Sequence, residues 1–244
     1  MSPRCCPVLE LRQYTLHPGK RDTLVSLFEE KFVESQEAEG LRIAGHFRDL
    51  DRPDRFVWVR GFADMAARKA GLTAFYGGPV WKANREAANA TMEDSDNVLL
   101  LRPIDDRWGF AAPARPRAAL GDKPNPARLI IATLYSFPAP VDEAMRRLFR
   151  DQIAPALVEA GAEPLAALET ESAENNFPRL PVRQGEHVFI WFAAVPSADA
   201  LAQVEARLEG SARWKAAVAP ALAAKLARPP ERLRLDPAAR SLLR

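Results

Sequence analysis

The sequence predicts an α+β chain made of tandem ferredoxin-like repeats, β-α-β-β-α-β twice over, closing into one α+β barrel within the chain. Three observations lead there. Strand and helix patterns run through the same order twice. A proline-punctuated stretch, 104–127, with little apolar periodicity separates the two runs. Landmark residues also recur: Phe28 and Gly40 correspond to Phe149 and Gly161 at an offset of 121, and Trp58 and Trp81 to Trp191 and Trp214 at an offset of 133. The change of offset places a twelve-residue insertion at about 171–185. Residues 1–103 are therefore expected to form one barrel half, 104–127 a linker and 128–244 the other half.

Element by element, Val8 to Tyr14 alternates apolar and polar residues, as a half-buried strand does. Pro18-Gly19 breaks it, Leu24, Leu27, Phe28 and Phe32 fall at helical spacing, and Gly40 closes that helix. Ile43–Phe47 reads as a second strand and Phe56–Phe62 as a third, with the turn Asp51–Asp54 between them. Asp64 can cap a helix through Leu72 to Phe75, Gly77-Gly78-Pro79 interrupts it, and Trp81 to Ala88 continues helically. Val98–Leu101 supplies a fourth strand. In the second run the strands are Leu129–Ser136, Pro164–Thr170, His187–Ala194 and Arg232–Leu235. One helix carries Ala144, Met145, Leu148, Phe149 and Leu157 and ends at Gly161. Another carries Leu201, Val204 and Leu208, then Trp214, Val218 and Leu222. Each half would give a four-stranded sheet covered by helices on one face. The bare faces would bury each other, with the space between the sheets as the natural pocket.

Composition narrows the function. The 244 residues, 48% hydrophobic and 27% charged, are those of an ordinary globular protein. Thirty-four basic against 32 acidic residues leave +2, too little to neutralise a run of phosphates, so no nucleic-acid partner is expected. The longest apolar run, Val188–Val195, is far short of a membrane span, which needs about 20 residues. No apolar leader precedes Glu10, so a cytoplasmic protein with no membrane partner is expected. Cys5 and Cys6 are the only thiols and, as neighbours, offer no structural staple. Phosphate-loop, dinucleotide-fingerprint, HExxH and CxxC patterns are all missing, and three scattered histidines make no metal set.

Several long motifs carry a resemblance. ELRQYTLHPGK, FRDLDRPDRFVWVRGF, FYGGPVW, VLLLRP and, in the second half, NNFPRLPVR resemble the bacterial branch of the NIPSNAP family, over roughly 8–103 and 128–236. The resemblance implies the dimeric α+β barrel superfamily with both halves in one chain. That superfamily includes cofactor-free quinone-forming monooxygenases, small-molecule isomerases and haem-binding or haem-degrading proteins. It implies a fold and not a reaction.

Candidate chemistry follows from strand parity. Glu10, Arg12 and Tyr14 share one face of the first strand and Leu9, Leu11 and Gln13 the other. With the leucines assigned to the helices, the Glu-Arg-Tyr face would look into the barrel and orient an acidic or phenolic ligand; the alternative is a structural ion pair. His46, in alternation with Arg42, Ala44 and Arg48, is the candidate general base, its ordinary pKa near 6.5 suiting proton transfer. The alternative there is a satisfied core histidine. His187 is placed at a barrel rim and His17 in a turn. Trp58 and Arg60 share a face; Arg60 corresponds to Ala193, so it is the more site-like of the two. Tyr76 and Trp81 flank the glycine corner that could cover a barrel mouth. The insertion reads as a lid or an arm, the arm being favoured, with a homodimer as the preferred assembly.

The leading expectation is a small hydrophobic or aromatic ligand bound between the two sheets. Any reaction would be cofactor-free oxygenation or isomerisation, with His46 as base, Tyr14 as acid or donor, Arg12 or Arg60 stabilising the anion, and Glu10, Trp58, Tyr76 and Trp81 as further contacts. The first alternative is haem binding through His46 or His187. The second is a non-enzymatic scaffold or stress-associated interaction module, whose sign would be a barrel filled by side chains.

Overall fold

The computed structural model describes residues 5–113, 116–122 and 128–244. Its first half runs β1 (Val8–Leu16), α1 (Arg21–Leu27), a π-helical turn (Phe28–Phe32), α2 (Val33–Ala38), β2 (Arg42–Asp49) and β3 (Arg55–Phe62). It continues with α3 (Met65–Gly77), α4 (Pro79–Asn89), β4 (Met92–Asp94) and β5 (Val98–Pro103). The second half runs β6 (Leu129–Ser136), α5 (Glu143–Leu148), a π-helical turn (Phe149–Ile153), α6 (Ala154–Ala160), β7 (Glu163–Thr170) and β8 (Val188–Val195). After these come α7 (Ala198–Gly210), a π-helical turn (Trp214–Val218), α8 (Ala219–Ala223) and β9 (Glu231–Pro237). Side-chain oxygens of Asp64, Asp142 and Ser197 accept from Ala67, Met145 and Ala200 N–H and start α3, α5 and α7. Gly161, at φ 94°, ends α6 where a Cβ would be strained.

Strand order is β3-β2-β9-β6-β8-β7-β5-β1, and β1 pairs back to β3, so eight strands close into an antiparallel barrel. Within it the halves repeat one pattern, β5-β1-β3-β2 and β9-β6-β8-β7. They are sewn together at two seams, β2 with β9 (Arg48 opposite Asp236) and β5 with β7 (Arg102 opposite Glu169). Short β4, which the alternation pattern did not reveal, hangs on the end of β1.

Strand parity resolves three apolar layers. Leu9, Leu11, Val57, Val59, Leu99 and Leu101 of the first half meet Ile130, Leu134, Leu168, Ile190, Phe192 and Leu233 of the second inside the barrel. The opposite parity, including Trp58 and Phe62 in one half and Tyr135 and Trp191 in the other, packs under the helices. Two sequence expectations are thereby corrected. The leucine face of β1 lines the lumen and the Glu10-Arg12-Tyr14 face lies under the helices, the reverse of the assignment from sequence. The space between the sheets, expected to be a pocket, is filled by these apolar side chains. The physical reason is size: an eight-stranded barrel is just wide enough to be filled by its own side chains, and here aliphatic residues with Phe47, Phe110 and Phe192 fill it, while the arginines lie in the helix–sheet layer.

Described residues of the 104–127 stretch make packed contacts with both halves. Ile104 joins the second helix–sheet core, Trp108 packs edge-on to Phe149, and Phe110 enters the lumen against Phe192. Arg117 donates to Glu37 and to the carbonyls of Ile43 and Arg240. Pro124 and Pro126 lie outside the described residues. Cys5 and Cys6, expected to have no partner, are joined to each other; the bond ties no distant segments, and it sits where a Cβ on Gly61 would collide with Cys6. The 171–185 insertion, expected as an arm towards a second subunit, lies across its own first half instead. Arg68 Nη1 donates to Asn175 and Asn176, Asn176 Nδ2 donates to the Met65 carbonyl, and Phe177 stacks on Tyr76. Among the described residues, no helix is long and apolar enough to cross a membrane.

Candidate functional site

The chemistry collects between the first sheet and its helices. β1 and β3 run antiparallel with Glu10 opposite Arg60 and Arg12 opposite Trp58, which puts all four on the helix side. Residue Arg68 reaches down from α3, on the same helical stripe as Gly71, Leu72 and Phe75. Glu10 is the common partner. Oε2 accepts from Arg12 Nη1 at 2.9 Å and from Arg60 Nη2 at 2.7 Å and Nε at 3.1 Å. Oε1 accepts from Arg68 Nε at 2.8 Å, with Nη2 of the same guanidinium at 2.7 Å. All four side chains are buried, and among the described residues every ion pair of the three guanidiniums ends on this one carboxylate. Two positive charges are left in excess, enclosed in a low-dielectric layer.

Neutral groups spread that charge. Arg60 Nη1 donates to Gln36 Oε1 at 2.8 Å, and Arg12 Nε donates to Tyr14 Oη at 2.8 Å. Arg60 lies 4.9 Å from the Trp58 ring centre and Arg12 5.5 Å. Burial alone would push the Glu10 carboxyl up, but Arg60, Arg12 and Arg68 outweigh it and hold the group well below the usual carboxylate range. Burial pushes the Tyr14 phenol up, against the opposing pull of Arg12, so Tyr14 keeps its proton. With its oxygen accepting from Arg12, that proton is free to be donated.

Beside this cluster lies a small cavity, about 40 Å³, lined by Tyr14, Phe28, Phe32, Gln36, Phe56, Trp58, Phe75, Tyr76 and Trp81 among others. Trp58 Nε1 is buried without a hydrogen-bond partner. The π-helical turn buries Phe28 and Phe32 together, and the glycine corner after α3 brings Tyr76 and Trp81 into contact with ring centres 4.8 Å apart. Both rings are half-buried, so they form the outer wall. The structure therefore gathers Tyr14, Trp58, Tyr76 and Trp81 around one space, with Glu10, Arg12 and Arg60 forming the charged layer beside it. Sequence reasoning missed Arg68 and Gln36. Each was signalled by a polar residue on an apolar helical stripe, Phe28-Phe32-Gln36 in one case and Arg68-Gly71-Leu72-Phe75 in the other.

His46 does not join them. A bulge in β2 breaks the alternation, sending Ala44 into the lumen and His46 towards the helices, where it is fully buried. Its Nε2 lies 2.8 Å from Glu29 Oε1 and its ring packs on Phe28. His17 is exposed in the turn after β1. His187 borders a separate cavity of about 350 Å³ at the β5–β7 seam, whose walls carry Arg102, Arg146, Arg183, Glu169 and Glu186. A haem group fits neither: His46 offers no open face, and the walls around His187 are ion-paired rather than the apolar slot a porphyrin needs. Among the described residues, no cluster of three or more His, Cys, Asp or Glu is placed to hold a metal ion.

The NIPSNAP family model matches residues 9–105. No curated protein matches the chain. Among solved structures, the chain is similar to a "putative monooxygenase" from Fusobacterium nucleatum, with 11% identity, TM-score 0.56, 96% of this chain and 93% of that one covered. A "putative monooxygenase" from Lactobacillus acidophilus gives 12% identity, TM-score 0.53 and coverages of 95% and 94%. An "anthrone oxidase-like protein" gives 14% identity, TM-score 0.55 and coverages of 98% and 94%. At these identities the likeness is one of fold, and it extends over both halves of the barrel.

Proposed function

Starting from a chain whose residues 9–105 match the NIPSNAP family model and whose barrel is closed, we propose that the cavity under the first half's helices binds a small planar aromatic molecule bearing an acidic phenol or enol, and holds it as the anion. One observation carries the proposal: three buried guanidiniums share a single carboxylate beside an aromatic cavity. The excess charge favours an anion there. The Tyr14 hydroxyl and the unpartnered Trp58 Nε1–H supply hydrogen bonds to its oxygen.

The cavity lining holds no carboxylate or imidazole. Deprotonation would then rest on the ligand's own acidity, strengthened by the positive field rather than by a base. A neighbouring opposite charge lowers such a pKa by about 1–3 pH units. An anion stabilised in this way is the shared intermediate of cofactor-free oxygenation and of proton-shift isomerisation. The names of the structural relatives make oxygenation the first reaction to test: a methylene flanked by aromatic rings plus dioxygen gives the ketone plus water. Since 40 Å³ holds about one or two waters, entry requires Tyr76 and Trp81 to swing outward about the Gly77-Gly78 corner.

The test uses 1,8-dihydroxyanthrone. Without oxygen, its absorption on binding should change to that of the anion at a pH where the free compound is neutral. Arg12→Leu and Tyr14→Phe should remove the change, and in air the wild type alone should accelerate oxygen uptake. Binding of the neutral form only, or an anion spectrum untouched by Arg12→Leu, refutes the proposal.

A further inference from the structure

The second half has its own cavity between sheet and helices, about 240 Å³ in volume, and its chemistry differs from that of the first. Position by position the halves correspond through the strand register: Thr133 stands opposite Trp191 as Arg12 stands opposite Trp58, and Tyr135 opposite Phe189 as Tyr14 opposite Phe56. The same correspondence puts Ile131 in the place of Glu10, Ala193 in that of Arg60 and Leu201 in that of Arg68. Three aromatic groups are kept, Tyr135, Trp191 and Trp214, and all three line the cavity. Each member of the charged cluster has been replaced by an uncharged residue.

Few polar groups remain, and two of the aromatic ones are bonded to each other. Trp191 Nε1 donates to Tyr135 Oη at 3.2 Å, whereas Trp58 Nε1 in the first half has no partner. Burial pushes the Tyr135 phenol up to about 12, the Trp191 hydrogen bond only partly opposing it, so it stays neutral. At the mouth, charges cancel in pairs: Arg232 with Glu209 and Arg234 with Glu205, between β9 and α7. With its mouth charges paired, this cavity carries no excess charge to attract an ion, and most of its wall is apolar.

We infer that the second-half cavity is a separate binding site for a neutral, apolar molecule about the size of a fused two-ring hydrocarbon. A dry cavity of about 150 Å³ lined by apolar side chains takes up benzene, and 240 Å³ accommodates a second ring. This inference is independent of the anion reading of the first-half cavity, since no residue lines both.

Naphthalene serves as the neutral probe, measured by equilibrium dialysis against the full chain. One equivalent should bind, with the same affinity from pH 6 to 9. Ala223→Trp, which fills the cavity from an exposed wall position, should weaken binding at least tenfold, while Arg12→Leu in the first half should change it less than twofold. No saturable binding, or binding unaffected by Ala223→Trp, overturns the inference, as does loss of binding in Arg12→Leu. Should Ala223→Trp fail to fold, bromonaphthalene diffused into crystals of the wild type decides. Bromine located between β6 and α8 upholds the site, and bromine found only in the first half or on the surface overturns it.

Discussion

Replacing Glu10 with glutamine tests the overcharged cluster directly. The substitution keeps the shape of the side chain and removes the one negative charge on which Arg12, Arg60 and Arg68 converge. Removing one partner of a buried ion pair costs about 3–5 kcal/mol, because the other charge is left uncompensated. Here three charges are left, so the upper part of that range is expected. At about 2–4 °C per kcal/mol for a chain of this size, the melting temperature should fall by roughly 6–20 °C. Arg12→Met provides the contrast. It loses hydrogen bonds to Glu10 and Tyr14, but Glu10 keeps Arg60 and Arg68, and one unit of excess positive charge disappears. Its cost should be smaller, about 1–2 kcal/mol. Urea unfolding of both variants at neutral pH, with equal m-values, gives the comparison. If Arg12→Met costs as much as Glu10→Gln, the cluster carries no excess positive charge and the argument for an anionic ligand fails with it. Acid should act as the mutation does. With its folded pKa depressed, Glu10 contributes stability that is complete above its ordinary value of 4.5 and is lost as the pH falls towards the folded value.

Two further outcomes probe residues outside the cluster. Phe110→Ala should destabilise by about 3–5 kcal/mol in urea unfolding, because the ring fills the lumen against Phe192; a cost under 1 kcal/mol would mean that the 104–127 stretch is a passive tether after all. His46 is held below its ordinary 6.5 by burial, against the pull of Glu29 and with Arg117 and Arg240 reinforcing the shift, so its ring is neutral in the fold. Unfolding lets it take up a proton, so stability should decline as the pH drops below about 6.5, and His46→Gln should flatten that part of the stability–pH curve; an unchanged slope would show that His46 does not titrate on unfolding.

Element order and the pairing of halves were legible because each rests on local pattern. Alternation marks strands, the stripe Leu24-Leu27-Phe28-Phe32 marks a helix, and Gly161 marks its end whatever the rest of the chain does. What alternation cannot say is which face of a strand looks inward. Alternation separates Leu9-Leu11 from Glu10-Arg12-Tyr14, but hydrophobicity does not choose between a lumen and a helix layer that are both buried. Volume decides the matter, and volume is a property of the closed barrel rather than of one strand. A similar limit hid β4, whose three residues have no period to read, and the docking of Asn175 and Asn176 on Arg68, partners 107 and 108 residues apart. His46 was misplaced by the β2 bulge, one extra residue that reverses parity within a single strand.

The correspondence between the halves carries more functional information than either half alone. Where a residue type is kept at paired positions, as Tyr14 with Tyr135 and Trp58 with Trp191, it serves what both halves need, which is the packing of helices on a sheet. Where it is not kept, architecture cannot be the reason. Glu10, Arg12, Arg60 and Arg68 stand where the second half has Ile131, Thr133, Ala193 and Leu201, and that half forms the same sheet-and-helix arrangement, so this fold does not require the buried charges. Buried ion clusters confer little net stability against apolar replacements of similar volume. A cluster that the fold can do without, and that is left with unbalanced charge beside an aromatic cavity, is best accounted for by what it binds.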